Sequence, residues 1–391
     1  MEEIRKYFTK KILRGLLFPL RLLPINRNQI LLINDLGGNY SCNPKVIAEY
    51  LIKEYKNDYK IIYAVKDYER MPFIKEKGMY PVGFNSLKYF YYAMTSKVIV
   101  SNSGGYSYIP LRTAQYVINT HHGGGAYKSS GADMFKPSHF LKNDMLLQAN
   151  CTDVFLSTNK RFTEVMAQAS YMPETKFWEI GMPRNDDLIN ENLERKEKIR
   201  QDIGLTKDEK LVLYAPTYRK PEDNYYKGSI AIAYNIDMKR VCEALKKRFG
   251  GSWKFAYRLH PCVENKRDYI VEGAMDLSDY EDMQDLLLVA DVLINDFSSS
   301  FWDFMLTKKP AFLYAVDLKH YVETTKVYTP VADWPFPKAE NNDQLIDNIL
   351  NFDEQKYKKD CENHYKMLGG CETGNATELV CNRIVKECRK K

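Results

Sequence analysis

Asp291-Val-Leu-Ile-Asn-Asp-Phe-Ser-Ser-Ser-Phe-Trp-Asp-Phe-Met305 is the stretch on which the reading of the whole chain turns. Val292, Leu293 and Ile294 form a short apolar run of the kind expected in a parallel strand buried on both faces. The run stops at Asn295-Asp296, three serines follow, and apolar residues resume at helical spacing with Phe301, Phe304 and Met305. Serine is a preferred helix N-cap, so the spacing predicts a strand, a tight turn and a helix N-terminus. Such a junction aims backbone N–H groups and the positive end of a helix dipole beyond the sheet, where a phosphate can sit. The serines could equally do no more than cap the helix. What decides is the company they keep.

Outward from this stretch, short apolar or β-branched runs recur at 30–33, 60–65, 98–100, 116–118, 154–156 and 177–180. Segments of helical character lie between them, for example 44–56 and 88–95. Alternating strands and helices imply a parallel sheet covered on both faces. Residues 184–210 are dense in charge and amide, and read as a connection and a surface helix. The alternation restarts at 211–214 and continues at 254–257, 269–271, 292–294 and 311–314. The tail, 341–391, reads as two helices, the last polar and lysine-rich. The expected fold is α/β, with two successive doubly wound parallel-sheet domains facing a cleft. Its segments are 1–27, 28–185, 186–370 and a C-terminal helix at 371–391. Open α/β sheets bind ligands beyond the C-terminal ends of their strands, so residues there matter most.

The bulk properties agree. A chain of 391 residues exceeds what one core organises, and 45% apolar content is ample for two. The net charge of +6 suits an anionic substrate or membrane surface and is too weak to argue for nucleic acid. Eight cysteines without a C-x-x-C pair or zinc-like spacing read as reduced thiols of a cytoplasmic protein. No apolar run reaches the roughly 18 residues that a membrane span needs. Residues 1–27 carry seven Lys/Arg against two Glu, with Phe8, Ile12, Leu13, Leu16, Leu17 and Leu20 among them. Arg21 and two prolines break the pattern of a secretion signal. A basic amphipathic helix on an anionic membrane surface is expected, the alternative being a helix packed on the protein's own second domain.

Four strand ends carry chemistry. Asn119-Thr-His-His-Gly-Gly-Gly-Ala-Tyr-Lys128 follows the run at 116–118. Its glycines let a backbone approach a ligand, a histidine there can serve as general base, and Lys128 brings a positive charge. Tyr214-Ala-Pro-Thr-Tyr-Arg219 offers Thr217 and Arg219 to a phosphate. Arg258-Leu-His-Pro261 places Arg258 and His260 on one side of a strand by alternation. Ser298 and Ser299 are the fourth. Asp282, ahead of a helix with Leu286, Leu287 and Val289, can hold ribose hydroxyls or cap that helix. Arg, Thr, His and Ser converging on one sheet edge are groups that hold a diphosphate, as in a nucleotide donor. No metal-ligand cluster accompanies them, so charge neutralisation falls to side chains and a helix dipole.

Taken together, T-x-H-G-G-G-A-Y-K, Y-A-P-T-Y-R, R-L-H-P and N-D-F-S-S-S-F-W-D-F-x-L-T-K-K-P resemble the CDP-glycerol glycerophosphotransferase family of teichoic-acid and capsule biosynthesis. The resemblance runs in order over about 115–320. It implies a GT-B-like architecture of two Rossmann-like domains, an acceptor domain at 28–185 and a CDP-alditol domain at 186–370. It also implies a peripheral place on the cytoplasmic face of the membrane, with no metal or other cofactor. The reaction it implies moves glycerol phosphate, or ribitol phosphate in close relatives, from a CDP-alditol to a lipid-linked or polymeric acceptor and releases CMP. A homo-oligomer is compatible with it.

The family's histidines fall on His122, beside Gly123 and Gly124, and on His260. Two departures stand out: His121 where the family usually has Trp, and Asp296-Phe-Ser-Ser299 where it usually has D-Y-S-S. The expected roles are His122 as base and protonated His260 beside the leaving CMP. Thr217, Arg219, Arg258, Asp282, Ser298 and Ser299 would hold the donor, and Gly123, Gly124 and Lys128 would form an acceptor or phosphate loop. A GT-B glycosyltransferase using a nucleotide sugar shares the strand-end phosphate chemistry, but it would release a nucleoside diphosphate. A catalytically idle envelope-assembly partner would bind no CDP-glycerol.

Overall fold

The computed structural model describes residues 2–55, 58–134, 136–217, 235–260, 263 and 273–390. Its two units comprise Met1–Gly123, Ser130–Asp186 and Gly370–Lys391 in the first, and Gly124–Ser129 and Asp187–Gly369 in the second. Strands β1 (Asn26–Ile33), β2 (Lys60–Val65), β3 (Tyr80–Gly83), β4 (Ser96–Ser101), β5 (Tyr116–Asn119), β6 (Val154–Ser157) and β7 (Phe177–Glu179) build the first sheet. Strands β8 (Glu209–Tyr214), β9 (Ser252–Tyr257), β10 (Met275–Asp276), β11 (Val292–Asn295), β12 (Ala311–Tyr314) and β13 (Lys338–Ala339) build the second. The orders are β3-β2-β1-β4-β5-β6-β7 and β10-β9-β8-β11-β12-β13. Every strand pairing is parallel, with Ile30 opposite both Ile61 and Val98, and Ile294 opposite both Tyr214 and Phe312. Each order turns back once, between β1 and β4 and between β8 and β11, the positions where doubly wound sheets open a crevice for ligands.

Burial explains why these segments are strands. Ile30 and Leu32 of β1 enter one core with Tyr63, Val98 and Val100, while Leu31 and Ile33 enter the core on the other face with Ile62 and Ile99. Alternate side chains thus leave water in opposite directions, and each fully buried Leu or Ile contributes about 1.5–3 kcal/mol. The first of these cores is completed by Val380, Cys381 and Ile384 of the helix Ala376–Arg389, so the end of the chain closes the first unit. In the second unit Leu213, Leu293, Ile294, Phe301, Trp302 and Phe304 share a single core.

Some expectations need correction. The tail forms three helices, Asn342–Leu350, Glu354–Met367 and Ala376–Arg389, because Asp353 caps a new helix by accepting from the Lys356 N–H. Strands β3, β10 and β13 lack a sequence signal: β3 carries Pro81, β10 and β13 are two residues long, and all three are edge strands. The run expected at 269–271 lies outside the described residues. Helices expected at 44–56 and 88–95 are observed as Cys42–Tyr55 and Leu87–Thr95, the latter capped by Ser86.

The N-terminal helix Glu2–Leu17 presents two apolar faces. Leu17 is buried, with Leu13 and Leu20 packed beside it on the first unit's core, and Arg14 donates to the carbonyls of Ser107 and Ile109 at 2.8 and 2.6 Å. Ile4, Phe8, Ile12 and Leu16, spaced four apart, point to solvent with 43, 52, 64 and 72% of their surface exposed. No helix among the described residues is long and apolar enough to cross a membrane.

Candidate active site

In the first unit the turn after β5 separates the two adjacent histidines by environment. His121 takes a left-handed backbone (φ 53°), and its Nδ1 accepts from the Gly123 N–H at 3.0 Å. Burial, then the neighbouring His122, push its pKa down to about 3, so it is neutral at any physiological pH. His122 is exposed, stacks on His121 with ring centroids 4.8 Å apart, and sets Nδ1 3.2 Å from the Asn102 carbonyl oxygen. A carbonyl only accepts, so Nδ1 carries the proton and Nε2 keeps its lone pair, the tautomer a base requires. Asn43 donates to the carbonyls of Thr120 and His121 at 3.3 and 3.0 Å, and buried Arg184 donates to the carbonyl of His122. The turn is therefore held by its backbone, which leaves the His122 ring to its single tether. Of Gly123, Gly124 and Gly125, only Gly125 has a left-handed backbone (φ 80°), and a Cβ there would come within 2.9 Å of Trp302.

In the second unit the strand ends gather the other predicted residues. Asp296, just past β11, accepts from the Thr217 N–H at 3.0 Å and from its hydroxyl at 2.8 Å, which ties the β8 end to the serine turn. Phe297 is fully buried and stacks on Tyr321 at 3.5 Å. Ser298 Oγ accepts from the Ser300 N–H at 3.2 Å, and the helix begins at Ser300, so the strand–turn–helix reading holds. Ser298 and Ser299 are half-buried, on the side where the first N–H groups of a helix have no intrahelical acceptor.

Just past the end of β9, Leu259 is buried, Arg258 half-buried and His260 exposed. The Arg258 guanidinium donates to the Tyr280 carbonyl at 3.2 Å; burial lowers its pKa, and the Asp282 charge works against that. His260 lies within electrostatic reach of Lys128, Arg258 and Asp296. Desolvation, then Lys128 and Arg258, lower its pKa, and the Asp296 charge works against that. Lys128 itself lies 5.5 Å over the Tyr321 ring and pairs with Val327 in an antiparallel bridge. Asp282 is buried and caps the helix Met283–Val289 by accepting from the Gln284 N–H, the local one of its two expected roles. Arg219 lies outside the described residues.

Thr217, Asp296, His260, Arg258 and Lys128 thus share one end of the second sheet, and His122 stands on the first unit. Asp296 and Asn102 are absent from the predicted set, although both follow an apolar strand run directly, the signal used for the others. A cavity of about 750 Å³ elsewhere in the second unit, lined by Trp334, Lys338, Lys356 and His364 among others, includes none of the predicted residues. Among the described residues no group of His, Cys, Asp or Glu could hold a metal ion.

Comparison with known proteins bears on what this arrangement serves. The family model described as CDP-Glycerol:Poly(glycerophosphate) glycerophosphotransferase matches residues 17–386. A teichoic acid poly(glycerol phosphate) polymerase of Bacillus spizizenii is 31% identical over 380 residues, covering 93% of this chain and 93% of the relative. A teichoic acid glycerol-phosphate transferase of Staphylococcus aureus is 28% identical over 373 residues, covering 92% and 94%. A histidine-to-asparagine variant of the wall teichoic acid polymerase TagF, solved after a soak with CDPG, superposes with a TM-score of 0.79 at 25% identity, covering 99% of this chain and 97% of that one. The fold is accordingly GT-B-like, built of two parallel-sheet α/β units. The chain belongs to the CDP-glycerol:poly(glycerophosphate) glycerophosphotransferase family.

Proposed function

We infer that this enzyme moves glycerol phosphate from CDP-glycerol to a hydroxyl of a lipid-linked or polymeric cell-envelope acceptor. The observation that carries the reading is the cluster of Thr217, Asp296, Arg258, His260 and Lys128 at the strand ends of the second unit, in a chain of this family. The donor's diphosphate is assigned to His260, Lys128 and the N–H groups of Ser298 and Ser299. An acceptor hydroxyl attacks the glycerol-bearing phosphorus, its proton passes to Nε2 of His122, and the bond from that phosphorus to the CMP oxygen breaks. Neutral His260 donates an N–H to the departing CMP or, once the diphosphate's negative charge raises its pKa, offsets that charge as imidazolium. Positioning and electrostatics supply most of the rate in phosphoryl transfer.

The test offers the purified chain CDP-glycerol, CDP-ribitol and a nucleotide sugar in turn, with a glycerol phosphate acceptor. CMP released from CDP-glycerol is expected. Turnover of the nucleotide sugar with release of a nucleoside diphosphate would replace the reading with glycosyl transfer.

Peripheral attachment to the cytoplasmic face of an anionic membrane belongs to the same reading. The outward stripe Ile4, Phe8, Ile12 and Leu16, flanked by exposed Arg5, Lys6 and Lys11, supports it. Ile12→Glu with Leu16→Glu should abolish co-sedimentation with phosphatidylglycerol vesicles while transfer to a soluble acceptor persists. Unchanged sedimentation would discard the attachment.

A further inference from the structure

We propose that Asp35, at the end of β1, binds the terminal hydroxyls of the acceptor alditol and delivers one of them to His122. The proposal rests on the transfer reaction inferred above and gives that reaction a specificity residue. Its basis is a polar network at the point where the first sheet reverses its strand order. Asn34 and Asn102, both fully buried, join the ends of β1 and β4 through a 2.6 Å bond from Asn102 Nδ2 to Asn34 Oδ1. Asn102 Nδ2 also lies 3.1 Å from Asp35 Oδ1, its Oδ1 accepts from the Asp35 N–H at 2.8 Å, and its backbone carbonyl takes His122 Nδ1. One residue therefore fixes both the carboxylate and the base. The Ser103 hydroxyl adds a 3.1 Å contact to Asp35 Oδ1.

Three features distinguish this carboxylate from an ordinary turn residue. It is exposed, and all its contacts come from the side chains of Asn34, Asn102 and Ser103; it caps no backbone N–H among the described residues. Its outer oxygen, Oδ2, has only a 3.3 Å contact from Asn34 Nδ2, which leaves lone pairs for a ligand donor. Two successive non-glycine residues, Asp35 and Leu36, hold left-handed backbones with φ of 43 and 54°. Such strain persists only where the surroundings impose it, and it gathers at functional sites.

The charge selects the ligand class. A carboxylate accepts hydrogen bonds from neutral hydroxyls and repels phosphate, so it favours the polyol end of a glycerol phosphate chain over its phosphodiesters. Paired hydroxyls on adjacent carbons match its two oxygens.

The test measures CMP release by the full chain with two soluble acceptors, an alkyl-linked glycerol phosphate and its analogue lacking the terminal secondary hydroxyl. The wild type should prefer the intact acceptor by roughly tenfold or more in kcat/KM. Asp35→Asn, which tolerates the left-handed backbone, should raise the acceptor KM by a similar factor and erase that preference, with calorimetric CDP-glycerol affinity unchanged. Ser103→Ala, which removes a contact to the carboxylate and a 2.8 Å bond to Asn102 Oδ1 beside it, should lose part of the preference and serves as the readout if Asp35→Asn does not fold. Wild-type acceptor KM and preference in Asp35→Asn, or a loss that falls on CDP-glycerol affinity instead, would overturn the proposal. A wild type that releases no CMP with either acceptor would refute the transfer reaction itself, and the proposal with it; a defect confined to the variants would not.

Discussion

His122 Nδ1 lies 3.2 Å from the backbone carbonyl oxygen of Asn102, so the exposed imidazole is held in one tautomer by a group that never titrates. His121, its stacked neighbour, is excluded from proton transfer near neutral pH by a pKa pushed down to about 3. His122→Ala should therefore lower kcat roughly 10²–10⁴-fold with little change in CDP-glycerol affinity. His121→Ala should cost stability, because the Gly123 N–H loses its acceptor, and should leave kcat within a few-fold of wild type. A large kcat loss in His121→Ala that His122→Ala does not share would reverse the assignment.

His260 gives a prediction about protons on binding. Its pKa is lowered by desolvation and by Lys128 and Arg258, so the ligand-free protein carries it neutral near pH 7. A bound diphosphate adds negative charge and raises that pKa, so between the two values binding takes up a proton and affinity rises as the pH falls. Calorimetry in buffers of different ionisation enthalpy should show net proton uptake with CDP-glycerol near pH 6.5, and none in His260→Gln. Equal uptake in the variant would assign the proton elsewhere.

Asp296 is the joint between two strand ends. It takes both the N–H and the hydroxyl of Thr217 and the N–H of Phe297, while only 2% exposed. Asp296→Ala would remove the acceptor these donors share, the buried Phe297 N–H among them, at about 1–3 kcal/mol in urea unfolding. Thr217→Val removes one hydroxyl bond, keeps the backbone ones, and should cost less. Equal costs would mean that the backbone bonds carry no weight.

What could be read beforehand follows from which physical signals are local. Buried parallel strands announce themselves because both faces must be apolar, so 292–294 and 311–314 were legible as β11 and β12. Edge strands β10 and β13 bury little and have no such run. The serine turn is legible because an apolar strand run stops there and apolar residues resume at helical spacing, and Arg258 and His260 because they directly follow an apolar run. Three things required coordinates. The separation of His121 from His122 depends on burial contributed by Phe155 and Phe162, which lie over thirty residues away in the sequence. The lowering of the His260 pKa rests first on desolvation and then on Lys128, distant in sequence. The Asn34–Asn102 pair joins strands that are adjacent only after the sheet reverses its order. Asp35 carries no local signal of its own, since a lone Asp after an apolar run reads equally as a turn residue.

A last prediction concerns acid. His364 is buried, its Nε2 lies 3.0 Å from the Tyr127 hydroxyl, and desolvation pushes its pKa down to about 4. In the unfolded chain a histidine titrates near 6.5. Below that value the unfolded state binds a proton that the folded state refuses, so stability falls as the pH drops from about 6.5 toward 4 and levels off below the folded value. The slope from one such group approaches about 1.4 kcal/mol per pH unit. His121 should add a similar loss that extends further, toward its own lower pKa. Urea unfolding at pH 7.5 and 5 should show His364→Gln losing less stability across that interval than the wild type. Gln keeps an amide oxygen that can accept from Tyr127, so the comparison isolates the proton from the hydrogen bond. Identical pH dependence in the two proteins would mean that His364 titrates normally and that its burial is relieved before the proton arrives.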